Sequence, residues 1–252
     1  MVRLSVLALS TLLLAAPGHR STQDAGRAAA PRDTVQAGDA VVDAARLRPF
    51  SLLRRLTLTR GDSVRPFGRQ SEALTSATLE GRPVLLDVLT FETPNATTVD
   101  SSWIDARTLR PLRMRSTNAA RVVALEFDGQ NIRGGTTPSA GAPTTLDQRL
   151  EVRPFEWNMF GLAVSALPLS TGYRATMPVY LDRFGRVIWY AVEVVRDTSL
   201  TRANGRQAPM WEVVATGDSA APSARFWVSQ RHRFVDRVLV WEPGVSILYA
   251  RE

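Results

Sequence analysis

From residue 49 onward, apolar and polar side chains alternate with a period of two along short runs of the chain. The run SLLRRLTLTR (51–60) is an example, and it ends at the turn-forming pair Gly61-Asp62. Such alternation predicts half-buried β-strands, and closely spaced turn signals predict an antiparallel meander. Similar runs lie at 72–80, 82–93, 97–105, 109–117, 119–129, 146–154, 173–182, 186–197, 208–218, 224–230, 233–244 and 245–252. We therefore predict a mainly β domain over residues 49–252, built from roughly eleven to thirteen strands.

One segment departs from this alternation. FEWNMFGLAVSALPLSTG (155–172) is almost continuously apolar and ends at Pro168 and Gly172. It is the best helix candidate in the mature chain, with its apolar part at Phe155 to Leu167. A single apolar helix in a β-rich chain packs most simply against the sheet. The predicted fold is a strongly curved antiparallel sheet, a half-barrel or open-barrel meander, with this helix on its concave face.

Two stretches rich in small and polar residues are expected to be flexible. GGTTPSAGAPTT (134–145) predicts a long surface loop inside the domain. Residues 21–48 are rich in Ala, Asp, Arg, Gly and Thr, and within them residues 31–48 are predicted to form a flexible N-terminal tether.

Residues 1–30 have the pattern of a secretory signal peptide and its cleavage region. Arg3 precedes an apolar run from Leu4 to Ala16, and small residues follow. The apolar run is too short to span a bilayer comfortably, so we expect cleavage. The prediction is a periplasmic or secreted protein that is not integral to the membrane. An outer-membrane barrel is disfavoured because many candidate strands carry Arg opposite their apolar face.

Composition excludes several kinds of chemistry. The chain has no cysteine and no lysine, which removes disulfides, thiolate metal sites, cysteine nucleophiles and catalytic lysines. The formal net charge is +7, but Asp and Glu are interleaved with Arg along the chain. Nucleic-acid-binding proteins usually concentrate their basic residues on one face, so we expect no nucleic-acid partner.

His232 is the only histidine beyond the predicted signal segment, and Arg231 and Arg233 flank it. Two arginines disfavour a bound cation, and Asp236 is not placed for a triad with His232. The turn of a β-hairpin at 230–233 is the better interpretation. Neither G-x-S-x-G nor Asp-Thr-Gly occurs, and no spacing selects a glycosidase pair among the carboxylates. Those considered are Glu80, Asp87, Glu92, Asp100, Asp105 and Asp182, which we expect to be solvated. We predict no catalytic residue, metal ligand or cofactor.

Tryptophans are the more informative side chains. The six tryptophans fall in predicted strands or in the helix, where they suit either core packing or an aromatic-lined cavity. The sequence leaves both interpretations open. For a ligand cavity, the candidate lining residues are Trp157, Phe160, Leu162, Trp189 and Trp211.

The chain over roughly residues 50–252 resembles a bacterial periplasmic family of unknown function, which has a strongly curved antiparallel sheet and is distantly similar to lipoprotein-sorting carriers. The resemblance is carried by strand and turn signatures, namely Leu167-Pro168-Leu169 with Gly172-Tyr173, VEVV (192–195), Trp211-Glu212-Val213, Phe226-Trp227-Val228, Arg237-Val238, Trp103-Ile104-Asp105 and Thr108 to Leu112. It implies the fold and an envelope location, and it matches no ligand-contacting residue.

These observations favour an exported, non-enzymatic cell-envelope protein that binds a hydrophobic or lipid-like ligand between the sheet and the helix. Its expected partner is then a lipid or a lipidated protein. The alternative is a module that docks another envelope protein. A hydrolase of unidentified type is the third hypothesis.

Overall fold

The computed structural model describes residues 33–202, 205–218 and 221–252, so the predicted signal segment lies outside the described residues. Within these ranges, sixteen strands form one sheet. They are β1 (Asp33–Thr34), β2 (Phe50–Arg60), β3 (Ser63–Leu79), β4 (Arg82–Thr93), β5 (Ala96–Asp105), β6 (Pro111–Asn118), β7 (Arg121–Asp128), β8 (Asn131–Pro138), β9 (Thr144–Arg149), β10 (Phe155–Glu156), β11 (Arg174–Leu181), β12 (Arg186–Thr201), β13 (Gln207–Thr216), β14 (Ser223–Ser229), β15 (Val235–Glu242) and β16 (Val245–Arg251). A 3-10 turn covers Ala44–Arg46, and helix α1 covers Phe160–Ser165.

The sheet consists of two antiparallel meanders joined side by side. Strands β2 to β9 follow one another in the sheet, as do β11 to β16, and β16 pairs antiparallel with β2. The short strands β1 and β10 both pair parallel with β11. The predicted mainly β antiparallel meander is therefore confirmed.

Alternation places the strand side chains as the sequence predicts. On β2, Leu52, Leu56 and Leu58 are buried, and Arg54 lies in phase with them. Because successive side chains point to opposite faces, this phase places an arginine on the apolar face of the sheet. That position becomes important for the cavity described below.

The glycine-rich stretch predicted as a loop is largely strand. Residues 134–138 complete β8, and Thr144 begins β9, so the connection between them is short. Gly134 and Gly135 lie where neighbouring strands approach closely, and a Cβ on Gly135 would lie 2.0 Å from the carbonyl oxygen of Thr144. Low complexity here reflects tight backbone packing, which the composition alone did not distinguish from flexibility.

The predicted helix over 155–172 is much shorter in the structure. Phe155 and Glu156 pair with Val179 and Tyr180 as strand β10, and α1 has only six residues. The apolar character of the segment comes from its burial, because Phe160, Leu162 and the residues around them are almost fully enclosed. Periodicity cannot separate a buried helix from other buried apolar backbone.

The predicted tether is also ordered from residue 33 onward. Thr34 pairs with Thr176 of β11, and Val35, Val42 and Leu47 are buried. Arg153 Nη2 donates to Asp39 Oδ1 at 2.6 Å and fixes the same segment from its polar side. Small and β-branched apolar residues spaced among polar ones give this partly buried segment the composition of a solvated linker.

One buried cluster connects strands that are far apart in the order of the sheet. It contains Leu74 of β3, Ile104 of β5, Val192 of β12 and Val213 of β13, together with Phe160 of α1. A smaller cluster lies around β6 to β8 and includes Tyr180. The two meanders and α1 therefore share one hydrophobic core.

A close backbone approach in β3 provides a test of this architecture. Gly68 has a φ of +155°, and a Cβ there would lie 2.0 Å from the carbonyl oxygen of Glu92 on β4. We expect Gly68→Ala to lower the free energy of unfolding by about 3 kcal/mol, because backbone atoms must separate. Gly61→Ala is the matched control, since Gly61 also has a positive φ but faces open space. The control should cost only about 1 kcal/mol in urea-induced unfolding. Equal losses for the two variants would contradict the packing described.

Candidate functional site

A cavity of about 110 Å³ lies between α1 and the apolar face of the sheet. On the helix side, Trp157, Phe160 and Leu162 form its wall. The sheet side is mostly apolar and comes from both meanders, namely Leu89, Phe91, Ala224, Phe226, Val235, Val238, Val240 and Tyr249.

A second chamber of about 300 Å³ adjoins the first and shares Trp157, Val240 and Tyr249 with it. Its rim is charged, because Arg183 forms an ion pair with Glu242 there. The two chambers together reach the lower end of the volumes typical of small-molecule sites, roughly 300–1,000 Å³. The chamber of about 110 Å³ alone would hold only a small part of a ligand.

Three of the five predicted lining residues meet at this cavity. The ring centroids of Trp157 and Phe160 are 6.0 Å apart, and Phe160 contacts Phe226 edge-on at 5.7 Å. Leu162 completes the helix side and is 2% exposed. These side chains belong to the hydrophobic core and also line the cavity. The sequence alone therefore does not distinguish core packing from ligand lining.

The other two predicted residues lie elsewhere, so the five do not form a single lining. Trp189 is 43% exposed and points away from the core, because its neighbours Ile188 and Tyr190 take the buried positions of β12. Trp211 is half-buried on the core side, and the guanidinium carbon of Arg233 lies 4.2 Å from its ring centroid. Neither lines either chamber.

Part of the cavity wall is polar, a feature that sequence reasoning missed. Arg54 is 1% exposed and donates to Gln70 Oε1 at 2.9 Å, to Glu72 and to the backbone oxygen of Val235. Its Nε has no hydrogen-bond partner in the described structure. The signal was the phase of the strands, because Arg54 alternates with leucines on β2 and Glu72 shares the phase of Leu74 on β3.

Further carboxyl groups lie behind this wall on the same face of the sheet. Asp87 of β4 is fully buried and lies opposite Ser102 of β5. Ser102 Oγ lies 2.8 Å from Glu156 Oε2, and the backbone N–H of Asn158 donates to Glu156 Oε1 at 2.7 Å. Asp87 and Asp100, which were expected to be solvated, are in fact buried.

Burial changes the protonation of these groups. It raises the pKa of Glu156 to about 7, and the hydrogen bonds from Asn158 and Ser102 only partly offset the effect. The pKa of Asp87 is raised well above its usual range by burial and by the nearby Glu72 and Glu156, despite the opposing charge of Arg54. Burial therefore shifts both carboxyls toward their protonated forms.

His232 lies in the turn between β14 and β15, as predicted, and its ring stacks on that of Phe234. In the described residues, no group of three or more His, Asp or Glu side chains is arranged to hold a metal ion. No helix within these residues has the length and apolar character needed to cross a bilayer.

Comparison with known proteins first defines the class of fold. The chain is similar to a β-barrel-like protein of the domain of unknown function DUF1849 from Brucella abortus, with 14% sequence identity and a TM-score of 0.52. The match covers 82% of this chain and 97% of the Brucella chain. At this level of identity the likeness concerns the fold alone.

The sequence of the chain identifies the family to which it belongs. Residues 55–243, about three quarters of the chain, match the protein family of unknown function DUF3108, and the chain belongs to that family. No curated protein matches. The expectation of a β-rich family of unknown function is confirmed to this extent.

The raised pKa of Glu156 gives a prediction for stability. A group whose pKa is raised on folding stabilises the protein fully below its unfolded value and loses that contribution as pH rises through its folded value. Between pH 4.5 and about 7, ionisation of Glu156 should therefore remove about 3 kcal/mol from the free energy of unfolding.

Glu156→Gln tests this directly, because the amide keeps the size and hydrogen bonds of the protonated acid. The variant should gain about 3 kcal/mol relative to the wild type between pH 4.5 and pH 8 in urea-induced unfolding. Glu80→Gln, at an exposed carboxylate, is the control. A pH-independent difference between Glu156→Gln and the wild type would show that Glu156 is not protonated in the fold.

Proposed function

We propose that this chain is an exported, periplasmic or secreted cell-envelope protein that binds a hydrophobic or lipid-like ligand without catalysing a reaction. The observation that carries the proposal is the two-chambered, mostly apolar cavity with the buried Arg54–Glu72 pair in its wall. The signal-peptide pattern at residues 1–30 supports the location. The distant similarity to lipoprotein-sorting carriers remains part of this proposal.

The fold supports a curved sheet with α1 on its concave face. Phe160 of α1 contacts both Tyr190 of β12 and Phe226 of β14. Leu74 of β3 and Ile104 of β5 join the same buried cluster from the other meander. A short helix enclosed from both sides leaves space along its flank, and that space is the cavity.

The cavity chemistry suits an amphiphile. Apolar walls would bury an acyl chain, which contributes about 25 cal/mol per Å² before the costs of association. Arg54 lines the cavity, and its Nε is enclosed by protein and has no hydrogen-bond partner in the described structure, so we expect a small shift of the lining to let an oxygen of the ligand accept from it. A carboxylic acid, an ester carbonyl or a hydroxyl would serve, which makes a fatty acid or an acylated partner the ligand class.

The placement of the carboxyls disfavours the hydrolase hypothesis. General acid–base catalysis requires a group of suitable pKa within hydrogen-bonding reach of the substrate. Glu156 and Asp87 have raised pKa values but do not line the cavity. The carboxyls that do line its two chambers are all paired with arginines, namely Glu72 with Arg54, Glu242 with Arg183 and Asp182 with Arg121.

The docking-module alternative has one observation in its favour. Trp189 and Val195 are 43% and 47% exposed, and both border a shallow groove on the outer side of β12. Exposed aromatic and branched side chains of this kind are common in protein–protein interfaces. The ligand hypothesis explains the cavity, and the docking hypothesis does not.

Native mass spectrometry of protein purified from its own envelope, with lipid extraction, is the primary test of ligand binding. A fluorescent fatty acid then measures the affinity. Val240 borders both chambers, so Val240→Trp should fill space in both of them and weaken fatty-acid binding at least about tenfold. Val195→Trp adds the same bulk on the outer face and should bind normally. If no lipid copurifies and the wild type does not bind the fatty acid, the proposal fails. Equal affinities for the wild type and Val240→Trp would place binding elsewhere.

The polar part of the cavity wall is tested by removing the Arg54–Glu72 ion pair in steps. Arg54→Met leaves Glu72 buried without its partner, so it should lower the free energy of unfolding by about 3–5 kcal/mol. The double variant Arg54→Met, Glu72→Met removes both charges and should recover most of that stability. Its fatty-acid affinity should nevertheless fall. A stable double variant that binds as the wild type does would show that Arg54 serves only the fold.

A further inference from the structure

A second site is suggested by a groove at the ends of β12 and β16, with a volume of about 390 Å³. We call it the basic groove and define it by Arg202, Arg206, Arg231, His232 and Arg251 around the edge of Phe234. The residues come from the β12–β13 connection, the β14–β15 turn and the end of β16. None of them lines either chamber of the cavity.

Positive charge dominates the groove. Among the described residues that line it there is no Asp or Glu. Arg231 is exposed and forms no ion pair with any described residue. Bringing guanidinium groups together is unfavourable through mutual repulsion unless a counter-charge is present.

A buried carboxylate behind the groove holds two of its arginines in place. Asp236 is 4% exposed and accepts a hydrogen bond from Arg202, and its Oδ1 lies 3.7 Å from Arg251 Nη1. The guanidinium carbon of Arg251 also lies 5.3 Å from the ring centroid of Phe234. His232 stacks on the same ring, with the ring planes 10° apart. Two arginines and a histidine are thus held in place by contacts that leave the groove itself open.

Asp236 provides the negative charge that pairs with Arg202 and Arg251, but it does not pair with Arg231. The single charge of Asp236 is already balanced by these two arginines, so it does not require Arg231 as a third cation. Arg231 lies in a solvent-exposed turn, where a charged side chain is not required for stability. Guanidinium groups match the oxygens of phosphate with paired hydrogen bonds, and a phosphate monoester carries nearly two negative charges on three terminal oxygens. We propose that the basic groove binds a phosphate monoester group, held by Arg231 together with Arg202 and Arg251.

This chemistry is shared by small phosphorylated molecules and by lipid headgroups such as that of phosphatidic acid. The experiment therefore has two arms on the full chain. Isothermal titration with inorganic phosphate measures binding of the free anion. Cosedimentation with phosphatidylcholine vesicles, with and without phosphatidic acid, measures binding of the headgroup. Rising ionic strength should weaken both interactions.

Arg231→Gln is the test variant, because Arg231 supports no buried group and its loss should not unfold the protein. We expect the variant to bind inorganic phosphate or the phosphatidic acid vesicles, whichever the wild type binds, about tenfold more weakly. This is the effect of losing one charge-assisted hydrogen bond. Arg65→Gln removes the same charge from an exposed position on β3, outside the groove, and should bind as the wild type does. Thermal melting of both variants checks their folding.

Each outcome decides the proposal. Binding in the phosphate arm alone identifies a small phosphorylated ligand, and binding in the vesicle arm alone identifies a membrane headgroup. Either result supports the site if only Arg231→Gln weakens it. The absence of binding in both arms overturns the proposal. Equal behaviour of Arg231→Gln and Arg65→Gln would do the same, since it would show general charge attraction or no role for the groove.

Discussion

The pairing of β16 with β2 is the interaction on which the rest of the structure depends. It joins the two meanders into one sheet, with Val245 opposite Arg60 and Arg251 opposite Arg54. Its register places Tyr249 beside Leu56 on the apolar face, where Tyr249 lines both chambers. A shift of one residue would turn every side chain of β16 to the other face. The cavity and the basic groove would then each lose a wall.

The protein interior on the apolar face of the sheet contains several charged or titratable side chains, which is unusual for a hydrophobic core. Arg54, Glu72, Asp87 and Glu156 are all buried, and an apolar core of the same volume would avoid the cost of removing them from water. Arg54 and Glu72 neutralise each other, and Asp87 and Glu156 have raised pKa values. A cost of this kind is commonly retained where it contributes to function or fixes a unique arrangement.

The sequence predicted the strands well because alternation depends only on neighbouring positions. For the run 51–60, prediction and structure agree within one residue of β2. Predictions failed where tertiary contacts decide the outcome. Residues 33–48 and 134–145 have loop-like compositions, yet pairing with β11 and close approach of neighbouring strands order much of them. Local composition contains no information about such partners.

The candidate site residues show the same difference between what local sequence predicts and what tertiary contacts decide. Trp157, Phe160 and Leu162 follow from one apolar segment, whereas the inward position of Arg54 required attention to the phase of β2. Trp189 shows the opposite error, because its large apolar ring lies in the outward phase of β12. The basic groove could not be found by spacing, since Arg202, Arg231 and Arg251 meet only through the topology of the sheet.

The β16–β2 pairing also constrains the order in which the chain can fold. Its two partners are far apart in sequence, so closing this pair carries a large loop entropy and follows the local hairpins. Until it forms, β2 is paired only with β3 and β16 only with β15, so β2 and β16 both present an open edge of unpaired backbone groups. Exposed edges of this kind can recruit strands from other molecules. The strand that completes the sheet therefore also protects the newly made chain from aggregation.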